Sequence, residues 1–153
     1  MGELVTCAVA LGSNLGDRRA HLDFAVSKLH AFLSNLRVSR YYQTVPVGVC
    51  GPQPLFLNAA SAGETTLSAP ELLDALLVIE TERGRERPFP NAPRSLDLDL
   101  ILFGDLVSEE PGLVVPHPRF RERRFVLEPL ADIAPDLIDP VTGQSIARLL
   151  SKT

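Results

Sequence analysis

The spacing of apolar residues changes several times along the chain, and each change marks an element. An unbroken apolar run, LVTCAVAL (4–11), predicts a buried strand, and GSNLGD (12–17) a turn leaving it. Leu22, Ala25, Val26, Leu29 and then Phe32 or Leu33 recur at helical spacing, which predicts a helix over 17–33. LRVSRYYQTV (36–45) alternates as a second strand, and PVGVCGPQP (46–54) is loop because it holds three prolines and two glycines. LFLNAASAGET (55–65) reads as a third strand. Ser68 and Glu71 form a capping box that opens a second helix ending near Gly84. ERPFPNAP (86–93) is again loop.

The stretch PRSLDLDLILFG (93–104) then alternates as a strand. Strict alternation puts Leu96, Leu98, Leu100 and Leu102 on one face, and Asp97, Asp99, Ile101 and Phe103 on the other. The leucine face suggests a central strand. Strand–helix–strand–strand–helix–strand is the ferredoxin-like βαββαβ order of an α+β fold. A C-terminal extension follows, with a short hairpin around Gly104, a VPHP bend (115–118), a helix near 125–133 and a last helix over 145–150. One domain over 1–153 is expected, since 153 residues suffice for one sizeable core.

Composition narrows the function. With 45% hydrophobic and 22% charged residues the chain is an ordinary globular protein rather than a disordered one. A net charge of −4 gives no overall attraction to nucleic acid or to an anionic membrane. Any anion must therefore be held by local arginines. Cys7 and Cys50 form neither a disulfide framework nor a metal-ligand spacing, so a cytoplasmic protein is expected. The start MGELVT fits a loose myristoylation pattern, but a core strand begins almost at once. The run is too short for a signal peptide or a membrane span.

Candidate chemistry gathers in the second half. Asp97 and Asp99, with Cα atoms ~6.5–7 Å apart on one strand face, repel each other unless a cation sits between them. They either pair with nearby arginines at a solvated strand start or hold Mg²⁺, which takes a couple of carboxylates, waters and phosphate oxygens. Arg85, Arg87 and Arg94 precede them, and PRFRERR supplies Arg119, Arg121, Arg123 and Arg124. A charge run is most often a solvated face, yet carboxylates flanked by arginines are what a polyphosphate–Mg²⁺ complex requires. His117, fixed between two prolines, is a turn histidine or a phosphate contact. Glu80 edges the apolar face of the second helix, where it could orient an arginine. GSNLGDRR lacks the lysine and spacing of a phosphate loop and reads as a turn plus helix cap. His21 and His30 have no partners in metal spacing and read as surface residues. Nothing local marks Phe56, Asn58 or Phe125.

Taken together, ALGSNLGD, YYQTVPVG, FLNAA, GRER, PRSLDLDLILFG and VPHPRFRERRFVLEPL resemble, in this order and over nearly the whole chain, the 6-hydroxymethyl-7,8-dihydropterin pyrophosphokinases. That resemblance implies transfer of pyrophosphate from ATP to the pterin hydroxymethyl group, releasing AMP, in folate biosynthesis. By match, Asp97 and Asp99 would hold two Mg²⁺ ions, and Arg85 and Arg94 would join them in the catalytic set. ATP would meet Glu80, Arg85, Arg87, Arg94, His117 and Arg123. The pterin pocket would use Thr44, Pro46, Val47, Phe56, Asn58 and Phe125. The implied protein is a monomer with no nucleic-acid or membrane partner. One departure stands out. The family pattern before the arginine usually reads R-W-G-P-R, whereas here it is Pro90-Asn91-Ala92-Pro93-Arg94; the chain has no tryptophan, and Phe89 is this loop's aromatic. Leu77 also stands where some members carry a polar residue.

Two other classes fit parts of the pattern. An RNA-recognition module shares the element order but needs aromatics on its central strands, which VTCAVAL lacks. A metal-dependent phosphohydrolase would also use two aspartates and arginines.

Overall fold

The computed structural model describes residues 3–45, 55–84 and 95–153. Its main sheet is antiparallel throughout. The long strand β1 (Val5–Ser13) lies against β4 (Phe56–Thr65) on one side and β5 (Asp97–Phe103) on the other. Two short strands, β2 (Ser34–Val38) and β3 (Tyr42–Thr44), both pair with β4, giving the order β2-β4-β1-β5. This is the ferredoxin-like arrangement that the element order predicts.

Helices α1 (Arg18–Leu29) and α2 (Ala69–Glu82) cover one face. Their Leu22, Ala25, Leu29, Leu72, Leu76 and Ile79 pack with Cys7, Val9, Leu11, Leu98 and Leu100 of the sheet. Burying each such leucine fully is worth about 1.5–3 kcal/mol. Asp17 caps α1, its Oδ1 accepting the Ala20 N–H at 3.1 Å. The capping box of α2 forms as predicted: Ser68 Oγ accepts from Glu71 N at 3.3 Å, and Glu71 Oε1 from Ser68 N at 2.8 Å. On the other face Ala8, Ala10, Ala60 and Ala62 offer small side chains to α3 (Arg124–Ile133) and α4 (Ile146–Ser151), which bring Val126, Leu127, Leu130, Ile146 and Leu149.

Four details differ from the sequence reading. The strand expected over 36–45 is broken at Ser39. There the Oγ accepts the Ala60 N–H at 2.9 Å, so a side chain substitutes for one rung of the ladder. The β1–β5 register shifts between Ala8 and Val9, which leaves Ile101 as an extra residue. Leu102 consequently joins the α3 side and Phe103 the α1–α2 side, the reverse of strict alternation. Strand β5 is at the sheet edge rather than in its centre. Finally, the C-terminal hairpin, β6 (Ser108–Glu110) with β7 (Leu113–Val115), turns at Gly112 (φ 83°), not at Gly104.

Candidate active site

Alternation along β4 puts Phe56, Asn58, Ala60 and Ala62 on one face, and pairing extends that face across the sheet. Asn58 lies opposite Gly12, which in turn lies opposite Asp97; Ala60 lies opposite Ala10, which faces Asp99. Thr44 pairs with Phe56 at the β3 side. The alanine end is the end that α3 packs on. Level with Ala10 and Ala60 and one same-face rung beyond them, the same face carries Asp99, then Asn58 and Asp97.

Gly12 makes room for Asn58. A Cβ at this position would lie 2.9 Å from Asn58 Oδ1 and 3.6 Å from the Phe56 ring. Asn58 is 7% exposed, and its Nδ2 donates to Thr44 Oγ1. A buried carboxamide held in this way presents a fixed set of donors and acceptors.

On the opposite side of β5, Glu80 is 3% exposed, and its Oε2 accepts the Leu98 N–H at 2.7 Å. This hydrogen bond grips the backbone of the residue between the two aspartates. Glu80 and Leu98 also line a 220 Å³ cleft with Leu73, Leu76, Leu77 and Gly112. A second cleft, of 470 Å³, is lined by Thr44, Arg119, Arg123, Phe125 and Glu128 among others.

His117 is tethered to β5 by its N–H, which donates to the Ile101 carbonyl at 3.0 Å. Its Nδ1 accepts the Arg119 N–H at 3.2 Å, which leaves the neutral ring's proton on Nε2. Burial lowers its pKa, and so do the nearby Arg123 and Arg119 charges; Asp97 acts in the opposite direction. His117 thus feels the charges of both Asp97 and Arg123.

The structure sorts the PRFRERR arginines, which the sequence presents as one cluster. Arg123 lies over the Phe125 ring, 5.5 Å from its centre. Arg124 turns outward to Glu128 at 3.0 Å, and Arg121 turns to Asp139. Arg85, Arg87, Arg94, Pro46, Val47 and Phe89 lie outside the described residues.

Sequence reasoning missed Gly12 because it ended the first strand at residue 11, two residues too early; a glycine inside a strand signals close approach. It also read His21 as a plain surface residue. His21 Nδ1 in fact accepts the Arg83 Nε–H at 2.8 Å, linking α1 to the end of α2. That pairing left no trace in the local sequence.

The donor set can be tested against a metal. Among the described residues no three His, Cys, Asp or Glu side chains converge as a metal cage. Two carboxylates at adjacent same-face positions therefore suit a hard cation that completes its shell with waters and phosphate oxygens, not a closed thiolate or imidazole site.

Comparison with known proteins settles the family. The model of the 7,8-dihydro-6-hydroxymethylpterin-pyrophosphokinase family matches residues 8–135, most of the chain. The chain belongs to this pyrophosphokinase family. Among its curated members, the 2-amino-4-hydroxy-6-hydroxymethyldihydropteridine pyrophosphokinase of Synechocystis is 42% identical over 147 residues, covering 94% of this chain and 74% of that protein. The pyrophosphokinase of the same name from Pseudomonas aeruginosa is 43% identical over 145 residues, covering 94% and 88%. Among solved structures, the Plasmodium falciparum HPPK-DHPS chain superposes with a TM-score of 0.78 at 16% identity, over 99% of this chain and 46% of that one. That likeness speaks for the pyrophosphokinase fold alone. Among the described residues no helix is long and apolar enough to cross a membrane.

Proposed function

We propose that this site transfers the pyrophosphoryl group of ATP to 6-hydroxymethyl-7,8-dihydropterin, giving the pterin diphosphate and AMP in folate biosynthesis. One observation carries the reading: a single sheet face holds a buried, oriented asparagine beside two same-face aspartates. The pterin's polar edge would be read by Asn58, with Thr44, Phe56 and Phe125 around the ring and Pro46 and Val47 completing the pocket. ATP would lie across β5, its phosphates toward His117 and Arg123 and its remaining part toward the cleft of Glu80, Leu77 and Leu98. Arg85, Arg87 and Arg94 would add to the phosphate clamp.

Asp97 and Asp99 would hold Mg²⁺, two ions per site, which would neutralise phosphate charge during displacement. The chain's own residues position and stabilise. Glu80 fixes the Leu98 backbone, and with it the spacing of the two carboxylates. Neutral His117 offers an Nε2–H to a phosphate oxygen while Nδ1 stays engaged with Arg119. Arg123 adds a fixed cation. No buried nucleophile is used; burial pushes the Cys7 thiol up to about 12, so it stays protonated. A single domain over 1–153, acting as a cytoplasmic monomer on small-molecule substrates, completes the proposal.

The test is turnover with ATP, Mg²⁺ and hydroxymethyldihydropterin. AMP and pterin diphosphate are expected; ADP with phosphate would instead indicate a phosphohydrolase. Asp97→Asn and Asp99→Asn should each lower kcat/KM by ~100-fold or more, since preorganised electrostatic groups contribute about 2.7–4 kcal/mol. Near-normal turnover in either variant would overturn the metal assignment.

A further inference from the structure

The phosphate-facing segment is short and irregular. His117 and Arg123 bracket a 3-10 turn, Phe120–Glu122, and α3 begins at Arg124 with no side-chain cap. An irregular segment of this kind does not hold two functional side chains in place by itself. Something outside it must.

The His117 N–H tether to β5 supports one end, and the support for the turn itself is Asp139. It is 0% exposed, although a carboxylate is among the groups least often fully buried. Its oxygens accept four hydrogen bonds: from Arg121 Nε at 2.5 Å, Arg121 Nη2 at 2.9 Å, Thr142 Oγ1 at 2.8 Å and Val141 N at 3.0 Å. Two come from one guanidinium in the bidentate fork that gives strong, directional pairing. The loop that carries Asp139 is itself closed, with Gly143 N donating to Asp139 O at 2.8 Å and Asp139 N to Gln144 O at 2.9 Å. Arg121 also lies over the Phe120 ring, 4.8 Å from its centre, and Phe120 is fully buried. The carboxylate is thus anchored in a hydrogen-bonded turn, and its partner lies between His117 and Arg123 in the sequence.

We propose that Arg121 and Asp139 are positioning residues for phosphate binding: the C-terminal loop reaches back to lock the turn that aims His117 and Arg123. Neither touches substrate. The inference rests on the reading of His117 and Arg123 as phosphate contacts given above. It also gives the PRFRERR run a division of labour, with one arginine bracing the segment while another faces the ligand.

Removing one partner leaves a buried charge uncompensated, so conservative changes are the informative ones. Arg121→Lys keeps the charge but loses the fork, and Asp139→Asn keeps the shape but loses the charge. Leu149→Ala, a cavity in α4 that leaves both charged partners in place, serves as a destabilised control. Three quantities are read: thermal unfolding, amide hydrogen exchange at Arg119 and Arg123 in the free protein, and dissociation constants for pterin and for a Mg²⁺-loaded non-hydrolysable ATP analogue. Both pair variants should speed exchange at Arg119 and Arg123 at least ~10-fold and weaken the analogue by a similar factor. Pterin binding should stay within about twofold, and Leu149→Ala should change neither exchange nor analogue affinity. Unchanged exchange in the pair variants overturns the proposal, as does faster exchange with unaltered analogue affinity, or an equal loss in Leu149→Ala. Wild-type protein that fails to bind the analogue at all overturns the proposed function and this inference with it, a pattern that no variant defect produces.

Discussion

The two ends of one sheet face behave as different materials. At one end Ala8, Ala10, Ala60 and Ala62 form a smooth floor on which α3 and α4 pack through Leu127, Leu130, Ile146 and Leu149. At the other, β4 carries Asn58 and the neighbouring β5 carries Asp97 and Asp99. The backbone pairing is continuous, so the sheet itself does not distinguish the ends. The side chains do. Small apolar residues invite a helix to dry the surface. Polar ones on the same plane make a helix costly, because each buried polar group needs a partner. One face thereby supplies both a core and the proposed ligand floor, and the boundary runs through adjacent rungs of β1 and β4.

The comparison breaks most sharply at its dry end. Leu127→Ala empties a fully buried position and should cost about 2–5 kcal/mol of stability in denaturant unfolding. Below its unfolding transition this variant should keep near-normal pterin affinity. A large loss of affinity there would show that the two ends are not separable.

At the wet end the expected effect is smaller and of the opposite kind. Asn58→Ala should weaken pterin binding by roughly 1–3 kcal/mol, because the ligand's polar groups lose their partner. ATP affinity should hardly change, and without tryptophan in the chain, pterin fluorescence reports binding directly. Equal losses for both ligands would put Asn58 in a general structural role.

The smallest effect is titration. With its pKa held below 6.5, chiefly by burial and then by Arg123, His117 favours folding most when neutral. Its contribution is full above the ordinary histidine pKa and is lost as pH falls through the lowered folded value. NMR titration of the free protein should show this midpoint below 6.5. Asp97→Asn should lower it further, since Asp97 opposes the shift. A midpoint at or above 6.5 would show that burial and the arginines do not outweigh Asp97 at His117.

Much of this was legible beforehand, and the limits have physical causes. The capping box of α2, the helical stripe of α1 and the aspartate pair were readable because each is a local pattern of spacing. The edge position of β5 was not, because a leucine face looks the same on central and edge strands covered by helices. Nor was the Ile101 bulge, because no glycine or proline marks it and the extra residue is simply another aliphatic. Within the site, Asp97 and Asp99 announced themselves as charges in a strand, whereas Asn58, Thr44 and Phe125 came only from family resemblance. Their meaning depends on register across four strands. The partnership of Arg121 with Asp139 spans 18 residues of sequence with no periodic signal at all.

An edge strand has a further hazard, since its free backbone groups can recruit a second chain. Here the Leu98 N–H is occupied by Glu80 and the Ile101 carbonyl by the His117 N–H, while two carboxylates stand on the same strand. The groups assigned to handling ATP also guard β5 against pairing with another copy. Loss of Glu80 would therefore show in two ways that activity assays do not separate: a loosened hold on the backbone between the two aspartates, and a protein that aggregates more readily at high concentration.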